Sequence, residues 1–459
     1  MRPTLTGFIA ALTLAAAIIS ATPVSAQKSQ EAIRISKDMR HLERADGRPF
    51  FYMADTAWAL FHRLDREQAD RYLRDRAEKG FSVIQAVALS ELNGLVEPNA
   101  YGDLPLADLN PSKPNEAYFA HVDHVVRRAN ELGLVVGFLP SWGRYWRDGE
   151  TQIFDTKNAE TYGRFLGQRY RDADVIWILG GDSNIRSKNE RAIIDALANG
   201  LRSGDGGKHL ITFHPRGPGM SSVQVSDAPW LDFYMNQSSH AAADLDTGLY
   251  VEHDRAVQPK RPVIDGEPRY EGIAVGFYNQ GHDPRLRFDD DDVRQAAWWA
   301  VLAGAAGHSY GNNNIWQMWQ PGRDPAIGAN RPWYVALDDP GARQMGYLRR
   351  LMEENHFETM EPRQDLIKDG PRDGPAKIRA ATTNGGSTIL VYTPRGEPFT
   401  LDLGALTPGK DNMHSQAWFD PRYGVSYAFR TEQSQGIQSF VPPSRGRGKD
   451  WVLVLNGQK

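Results

Sequence analysis

The sequence predicts an α/β fold: a (β/α)8 TIM barrel followed by a C-terminal antiparallel β-sandwich. Three observations predict it. From residue 50 to about 355, eight short apolar runs alternate with stretches of helical period. The runs are continuously apolar, as in Val175-Ile176-Trp177-Ile178-Leu179, which suits parallel strands buried on both faces. After about residue 362 the helical period gives way to short strands separated by Gly, Pro and Asn turns.

The first strand, Phe50 to Ala54, leads into Asp55-Thr56-Ala57-Trp58, without the glycine-rich turn usual in a doubly wound sheet. Arg66 to Lys79 is a helix with Ala69, Tyr72, Leu73 and Ala77 on one face and Gly80 as its stop. Ser82 to Leu89 is the second strand. Asn115 to Leu132 is the next helix, with Phe119, Val122, Val126 and Ala129 at helical spacing. Leu134 to Leu139 is the third strand and Ala159 to Arg171 its helix. Val175 to Leu179 and the helix Glu190 to Leu201 follow, and Gly204-Asp205-Gly206-Gly207 reads as a helix stop. Leu210 to Phe213, Leu231 to Met235 and Pro262 to Asp265 are strands five to seven. Val293 to Ala305 is helical, His308 to Tyr310 is the eighth strand, and Pro340 to Glu354 is the closing helix. In the β-domain, Ala376 to Ala381, Ser387 to Tyr392, Phe399 to Leu403, Gln416 to Phe419 and Trp451 to Leu455 are strands, with Asp369 to Pro375 a loop near its start. The expected division is a leader over residues 1–26, a barrel over 36–360 and a β-domain over 365–459.

The leader has the pattern of a secretory signal peptide: Arg2, an apolar stretch from Phe8 to Ile19, and the small residues Val24-Ser25-Ala26 before Gln27. Export to the periplasm or the medium is therefore expected. No later segment is long and apolar enough to span a bilayer, so no membrane association is expected after cleavage. A net charge of −4 gives no overall attraction to nucleic acid or anionic membrane. The absence of cysteine excludes disulfides, thiolate metal sites and a thiol nucleophile. No metal or cofactor is implied. The run Asp289-Asp290-Asp291-Asp292 reads as favourable charge at the start of a helix rather than a calcium loop. His121 and His124, with Asp123 between them, lack a third ligand.

A barrel of this kind works at the C-terminal ends of its strands. The residues just past each strand are Asp55 and Trp58, then Glu91 and Asn93, then Trp142 with Tyr145 and Trp146, then Asp182, Ser183 and Asn184. The last four strands lead to His214, to Asn236-Gln237-Ser238, to Asp265-Gly266-Glu267, and to Tyr310 with Trp316 and Trp319. Acids, amides and flat rings together suit an oligo- or polysaccharide, whose ring faces are apolar and whose rim is polar. Asp182 and Glu267 directly follow apolar strands, where an unpaired charge is costly unless it has a task. Glycosidic bond cleavage needs two such carboxyl groups: one protonates the leaving oxygen, and the other attacks the anomeric carbon or activates water. Asp182 and Glu267 are the candidate catalytic pair. Trp58 and the stacking rings Trp142 and Trp316 are candidate substrate contacts. Asp55, His214, Asn236 and Tyr310 are candidates for hydroxyl recognition or for orienting Glu267. Asp265 and Glu271 are the rival carboxylates.

The segments Tyr52-Met53-Ala54-Asp55-Thr56-Ala57-Trp58, Ile178-Leu179-Gly180-Gly181-Asp182-Ser183-Asn184 and Val263-Ile264-Asp265-Gly266-Glu267-Pro268-Arg269-Tyr270-Glu271 resemble the apiosidase-like group, glycoside hydrolase family 140. The resemblance covers about residues 36 to 360, and the β-domain looks like the collagen-binding-type domain often appended to that family. It implies a retaining mechanism on D-apiose linkages in the pectin rhamnogalacturonan II, with Asp182 as acid/base and Glu267 as nucleophile. Many retaining barrel enzymes carry Asn-Glu where this chain has Gly181-Asp182, which shortens the reach to the leaving oxygen. Another retaining glycosidase, such as an arabinofuranosidase or an endo-β-glycanase, and a non-catalytic glycan-binding protein are the alternative readings.

Overall fold

The computed structural model describes residues 32–405, 413–433 and 436–457. The expected leader lies outside the described residues. The barrel strands are β1 (Tyr52–Thr56), β2 (Val83–Leu89), β3 (Val135–Ser141), β4 (Val175–Leu179), β5 (Ile211–Phe213), β6 (Tyr234–Gln237), β7 (Val263–Asp265) and β8 (Gly307–Tyr310). The longer helices are α1 (Arg66–Glu78), α2 (Glu116–Glu131), α3 (Thr156–Arg169), α4 (Lys188–Asp205), α5 (Gly248–Ala256), α6 (Asp290–Leu302) and α7 (Pro340–Glu354). The one helix between β5 and β6 is the short Ser221–Val225.

The strands lie in the order β5-β4-β3-β2-β1-β8-β7-β6, with every neighbouring pair parallel. The seam between β5 and β6 is bridged by the Asp232 N–H donating to the Ile211 carbonyl at 2.9 Å and the Thr212 hydroxyl donating to the Phe233 carbonyl at 2.8 Å. The two-residue strand Gly219–Met220 adds to the far edge of β6, antiparallel. Strands β2 and β4 are buried at every position, as their apolar runs require. Behind β4, helices α3 and α4 approach backbone to backbone. A Cβ on Gly163, Gly167, Gly200 or Gly204 would fall 2.3 to 2.5 Å from a carbonyl of the opposite helix.

Of the boundaries that differ from expectation, two have a direct physical reason. β1 begins at Tyr52 because Pro49–Phe50 pairs instead with Leu42–Arg44 in a small N-terminal sheet. α6 begins at Asp290, inside the aspartate run, because the Asp289 side chain accepts the Asp291 and Asp292 amides and closes a capping box.

The β-domain contains β9 (Arg379–Thr383), β10 (Thr388–Thr393), β11 (Phe399–Asp402), β12 (Met413–Asp420), β13 (Val425–Gln433), β14 (Ile437–Phe440) and β15 (Trp451–Gly457). One sheet runs from Glu361–Pro362 through β9-β10-β15-β12-β13, and the other is Ile367–Asp369 with β11 and β14. All pairings are antiparallel, and Ile389, Val391, Phe399, Leu401, Leu453 and Leu455 fill the space between. Neither β13 nor β14 was expected from sequence: residues 425–429 of β13 are all exposed, so they carry no inward-outward alternation. α6 joins the two regions. Trp298 stacks on Tyr392 at 5.7 Å, and Trp299 donates its indole N–H to the Lys377 carbonyl at 2.9 Å. Among the described residues no helix is long and apolar enough to cross a membrane.

Candidate active site

β4 runs out into Gly180, Gly181 and Asp182, all with left-handed backbone (φ 94°, 72° and 52°). The glycines are needed there. A Cβ on Gly180 would sit 2.3 Å from the His214 carbonyl, and one on Gly181 3.0 Å from the Ser141 carbonyl. Asp182 carries a side chain through the same turn, a conformation that costs about 1–2 kcal/mol. Its N–H donates to His214 Nδ1 at 3.1 Å. Because that nitrogen accepts, the His214 proton sits on Nε2. Nε2 in turn lies 3.0 Å from Glu267 Oε2, off the line of a well-aligned hydrogen bond. One imidazole therefore links the backbone of one carboxylate residue to the side chain of the other.

Glu267 stands two residues past β7 and is 6 % exposed. A second imidazole reaches it, with His240 Nε2 at 3.4 Å from Oε1. Burial alone would raise the Glu267 proton affinity; the two imidazoles outweigh it and hold the carboxyl well below its usual range. Asp182 moves the other way. Burial first, then the charge on Glu267, push it up to about 6. Two carboxyl groups with opposite shifts are the pattern of an acid paired with an ionised partner.

Both line one cavity of about 470 Å³, together with Trp58, Trp142, Arg216, Gln237, Tyr270, Phe277, Tyr278 and Trp316. Trp58 packs against Trp142 at 5.6 Å and edge-on to His214 at 5.5 Å. Trp316 is held by its indole N–H on Asn313 Oδ1 at 3.2 Å.

Of the residues singled out from sequence, Asp182, Glu267, Trp58, Trp142 and Trp316 meet in this cavity, and His214 touches Glu267 from behind. Asp55, Asn236 and Tyr310 do not line it. Asp55 is buried against α1, where it accepts from Tyr72 at 2.5 Å and from Arg76 at 2.6 Å. Tyr310, its register partner on β8, donates to Glu271 Oε2 at 2.6 Å. Asn236 is buried on the side of Asp254, away from the cavity lined by its neighbour Gln237. The reason is common to all three: strand residues alternate between the barrel interior and the helix layer, so a position one place along faces the other way. The rival carboxylates are also occupied. Asp265 accepts from the Ser238 hydroxyl at 2.8 Å, and Glu271 is held by Tyr310 and the Gly341 amide.

Sequence reasoning left out His240, Tyr270, Gln237, Arg216, Phe277 and Tyr278 as site residues. Gln237 was legible as the alternate of Asn236. His240 and Phe277 arrive on loops, His240 edge-on to Tyr270 at 4.5 Å, and loops carry no periodicity to read. Asp289, Asp291 and Asp292 do converge as cation ligands would, but guanidiniums of Arg447, Arg395 and Arg294 already neutralise them.

Comparison with known proteins agrees with this geometry. Residues 36–359 match the family described as "Apiosidase-like, catalytic domain", and residues 362–456 match the "Putative collagen-binding domain of a collagenase". A solved structure titled "Glycoside hydrolase" is 32% identical, covers 94% of this chain and 98% of its own, and superposes with a TM-score of 0.85. A glycoside hydrolase family 5 structure from Bacteroides vulgatus ATCC 8482 is 32% identical over 93% of this chain and 94% of its own, with a TM-score of 0.84. A family 5 mannosidase from Rhizomucor miehei, 13% identical over 71% of this chain and 99% of its own, shares the fold at a TM-score of 0.50. None of the curated proteins matches the sequence. With the catalytic-domain match spanning most of its length and Asp182 and Glu267 converging in one cavity at the barrel mouth, the chain belongs to the apiosidase-like family of glycoside hydrolases.

Proposed function

We propose that this glycoside hydrolase is a retaining enzyme of pectic cell-wall polysaccharide that releases D-apiose from rhamnogalacturonan II. The observation that carries the mechanism is the single cavity holding two carboxyl groups whose proton affinities are driven apart. In the first step Asp182 gives its proton to the glycosidic oxygen. As that C–O bond breaks, a Glu267 oxygen bonds to the anomeric carbon. In the second step Asp182 takes a proton from water, whose oxygen attacks the same carbon and releases Glu267. His214 keeps Glu267 ionised, and its accepting Nδ1 fixes the backbone from which Asp182 projects. Trp58, Trp142 and Trp316 supply the flat walls a sugar ring stacks on. The substrate choice rests on the family resemblance, and the leader pattern adds export to the reading.

The test is product analysis on rhamnogalacturonan II beside arabinan and mannan, with the first-formed anomer followed by NMR. Apiose released with retained configuration is expected. Arabinose or mannose as the main product would replace the substrate assignment, and an inverted first product would replace the double displacement.

A further inference from the structure

The loop after β6 brings His240 to Glu267 and then runs into α5 at Gly248. Its first part is held at the active site. The Ser239 amide donates to the Glu267 carbonyl at 3.2 Å, and the His240 carbonyl accepts from the Gly276 amide at 2.7 Å. Residues 241–244 are half-buried or exposed. The last part of the loop is held by the β-domain. Asp246, 8 % exposed, accepts from Lys377 Nζ at 2.5 Å and from the Arg379 guanidinium at 2.7 and 3.2 Å. Lys377 leads into β9, and Arg379 is its first residue and is fully buried. A Cβ on Gly248 would fall 2.4 Å from that guanidinium, so α5 starts with the residue that lets the two regions close.

The neighbours of Asp246 are tied to other elements. Arg269, two residues past Glu267, donates to the Leu245 carbonyl, and on α6 to the Asp292 carbonyl at 3.1 Å and Gln295 Oε1 at 3.3 Å. The Thr247 hydroxyl donates to the Ala296 carbonyl of α6 at 2.7 Å. Gln295 in turn donates to the Pro375 carbonyl of the β-domain at 2.8 Å. Buried, charge-assisted hydrogen bonds of this kind are among the stronger contacts a chain makes. His240 has no such anchor of its own: its Nε2 stands 3.4 Å from Glu267, and its Nδ1 has no partner. The position of the imidazole therefore follows the path of its backbone. Glu267 is also faced by His214, by Asp182 and Glu91 across the cavity, by Asp265 two residues before it and by Tyr270; of all these groups only His240 lies on the clamped loop.

We propose that Arg379, aided by Lys377, is a positioning residue for the active site: by holding Asp246 it fixes the loop that sets His240 against Glu267, so the β-domain completes the catalytic centre without touching substrate. The inference rests on the reading of Glu267 as an ionised catalytic carboxylate, and hydrogen exchange tests it apart from that reading. In the full chain carrying Arg379→Met, amide exchange over residues 238–247 is expected to rise roughly tenfold. The acid limb of kcat/KM on a cleaved glycan is expected to move up by about half a unit, as in His240→Ala. In the His240→Ala background Arg379→Met is expected to move that limb no further, because both changes act through one imidazole. Lys377→Met leaves Arg379 on Asp246 and gives a smaller version of both effects, which keeps the test open if Arg379→Met does not fold. Asp450→Ala, which loosens the same interface away from the loop, is expected to move neither. Unchanged exchange over 238–247 in the folded variants, an acid limb that stays put while the loop loosens, or full additivity with His240→Ala overturns the positioning role. Turnover that survives Glu267→Gln sinks the nucleophile reading instead, while faster loop exchange in Arg379→Met leaves the clamp standing.

Discussion

Arg294 and Arg379, between the barrel and the β-domain, are as deeply buried as Glu267 at the barrel mouth, yet their surroundings differ in kind. Arg294 grips Asp450 with two bonds of 2.7 and 2.8 Å and adds Gln344 at 2.7 Å and Asp290 at 2.9 Å. Arg379 meets Asp246 at 2.7 Å and Glu252 at 2.6 Å. Both guanidiniums there are met by carboxylates inside the protein. At the mouth, Glu267 has two imidazoles at imperfect geometry, and Asp182 holds a left-handed backbone. Beside them the Arg63 and Arg323 guanidiniums bond only to carbonyls. The same chain satisfies buried charge completely where the task is to hold two regions together. It satisfies charge less completely at the mouth, where the two cavity carboxyl groups lie.

The sharpest way to break this comparison is to remove one charge from each region. Glu267→Gln keeps the volume and removes the proposed nucleophile, so kcat on any cleaved glycan should fall roughly 10⁴-fold or more, with native circular dichroism. A loss below about tenfold would move the nucleophile elsewhere. Asp450→Ala should do the reverse. It strands Arg294 in the interface and should destabilise the protein by about 3–5 kcal/mol in denaturant titration, leaving kcat of the folded enzyme unchanged. Replacing both partners with apolar residues, Arg294→Met with Asp450→Leu, should recover more than half of that loss, because the guanidinium leaves together with the carboxylate it grips most closely. No recovery would mean that Asp290, Asp291 and Gln344 make the cluster more than a pair.

A smaller effect follows from the opposite shifts of the two carboxyl groups. The proposed mechanism needs Asp182 protonated and Glu267 ionised. Since Asp182 is raised to about 6, kcat/KM should fall above that pH, tenfold per unit, while the acid limb lies well below the usual carboxylate range. A basic limb that stays put in Asp182→Asn would show that another group of the cavity supplies the proton.

How much of this was legible from sequence divides along the same line. The eight strands, their order and the two carboxylate positions follow from continuous apolar runs that stop at Gly180-Gly181 and at Asp265-Gly266. The direction of a side chain at a strand end does not follow. Asp55, Asn236 and Tyr310 sit one alternation from the cavity, and a one-residue uncertainty in a strand end reverses the face. His240 and Phe277 come from loops, whose path depends on tertiary packing. The interface was equally hidden: Trp298 and Trp299 read as one apolar helix, and only the fold shows Trp298 stacked on a β-domain tyrosine and Trp299 bonded to a β-domain carbonyl.

The finest test concerns the two imidazoles on Glu267. His214 approaches to 3.0 Å and is tied to the Asp182 backbone, whereas His240 stands at 3.4 Å with its other ring nitrogen unpartnered. His240→Ala therefore removes the looser of the two contacts and leaves the His214 bridge intact. Losing an interaction that favours the ionised form raises the Glu267 proton affinity, so the acid limb of kcat/KM should move to higher pH, by about half a unit. The basic limb should stay where Asp182 sets it, because the charge it feels from Glu267 is unchanged once that group is ionised. A movement of the basic limb instead would mean that His240 acts on Asp182. A shift of two units or more would make His240, rather than His214, the main partner of Glu267.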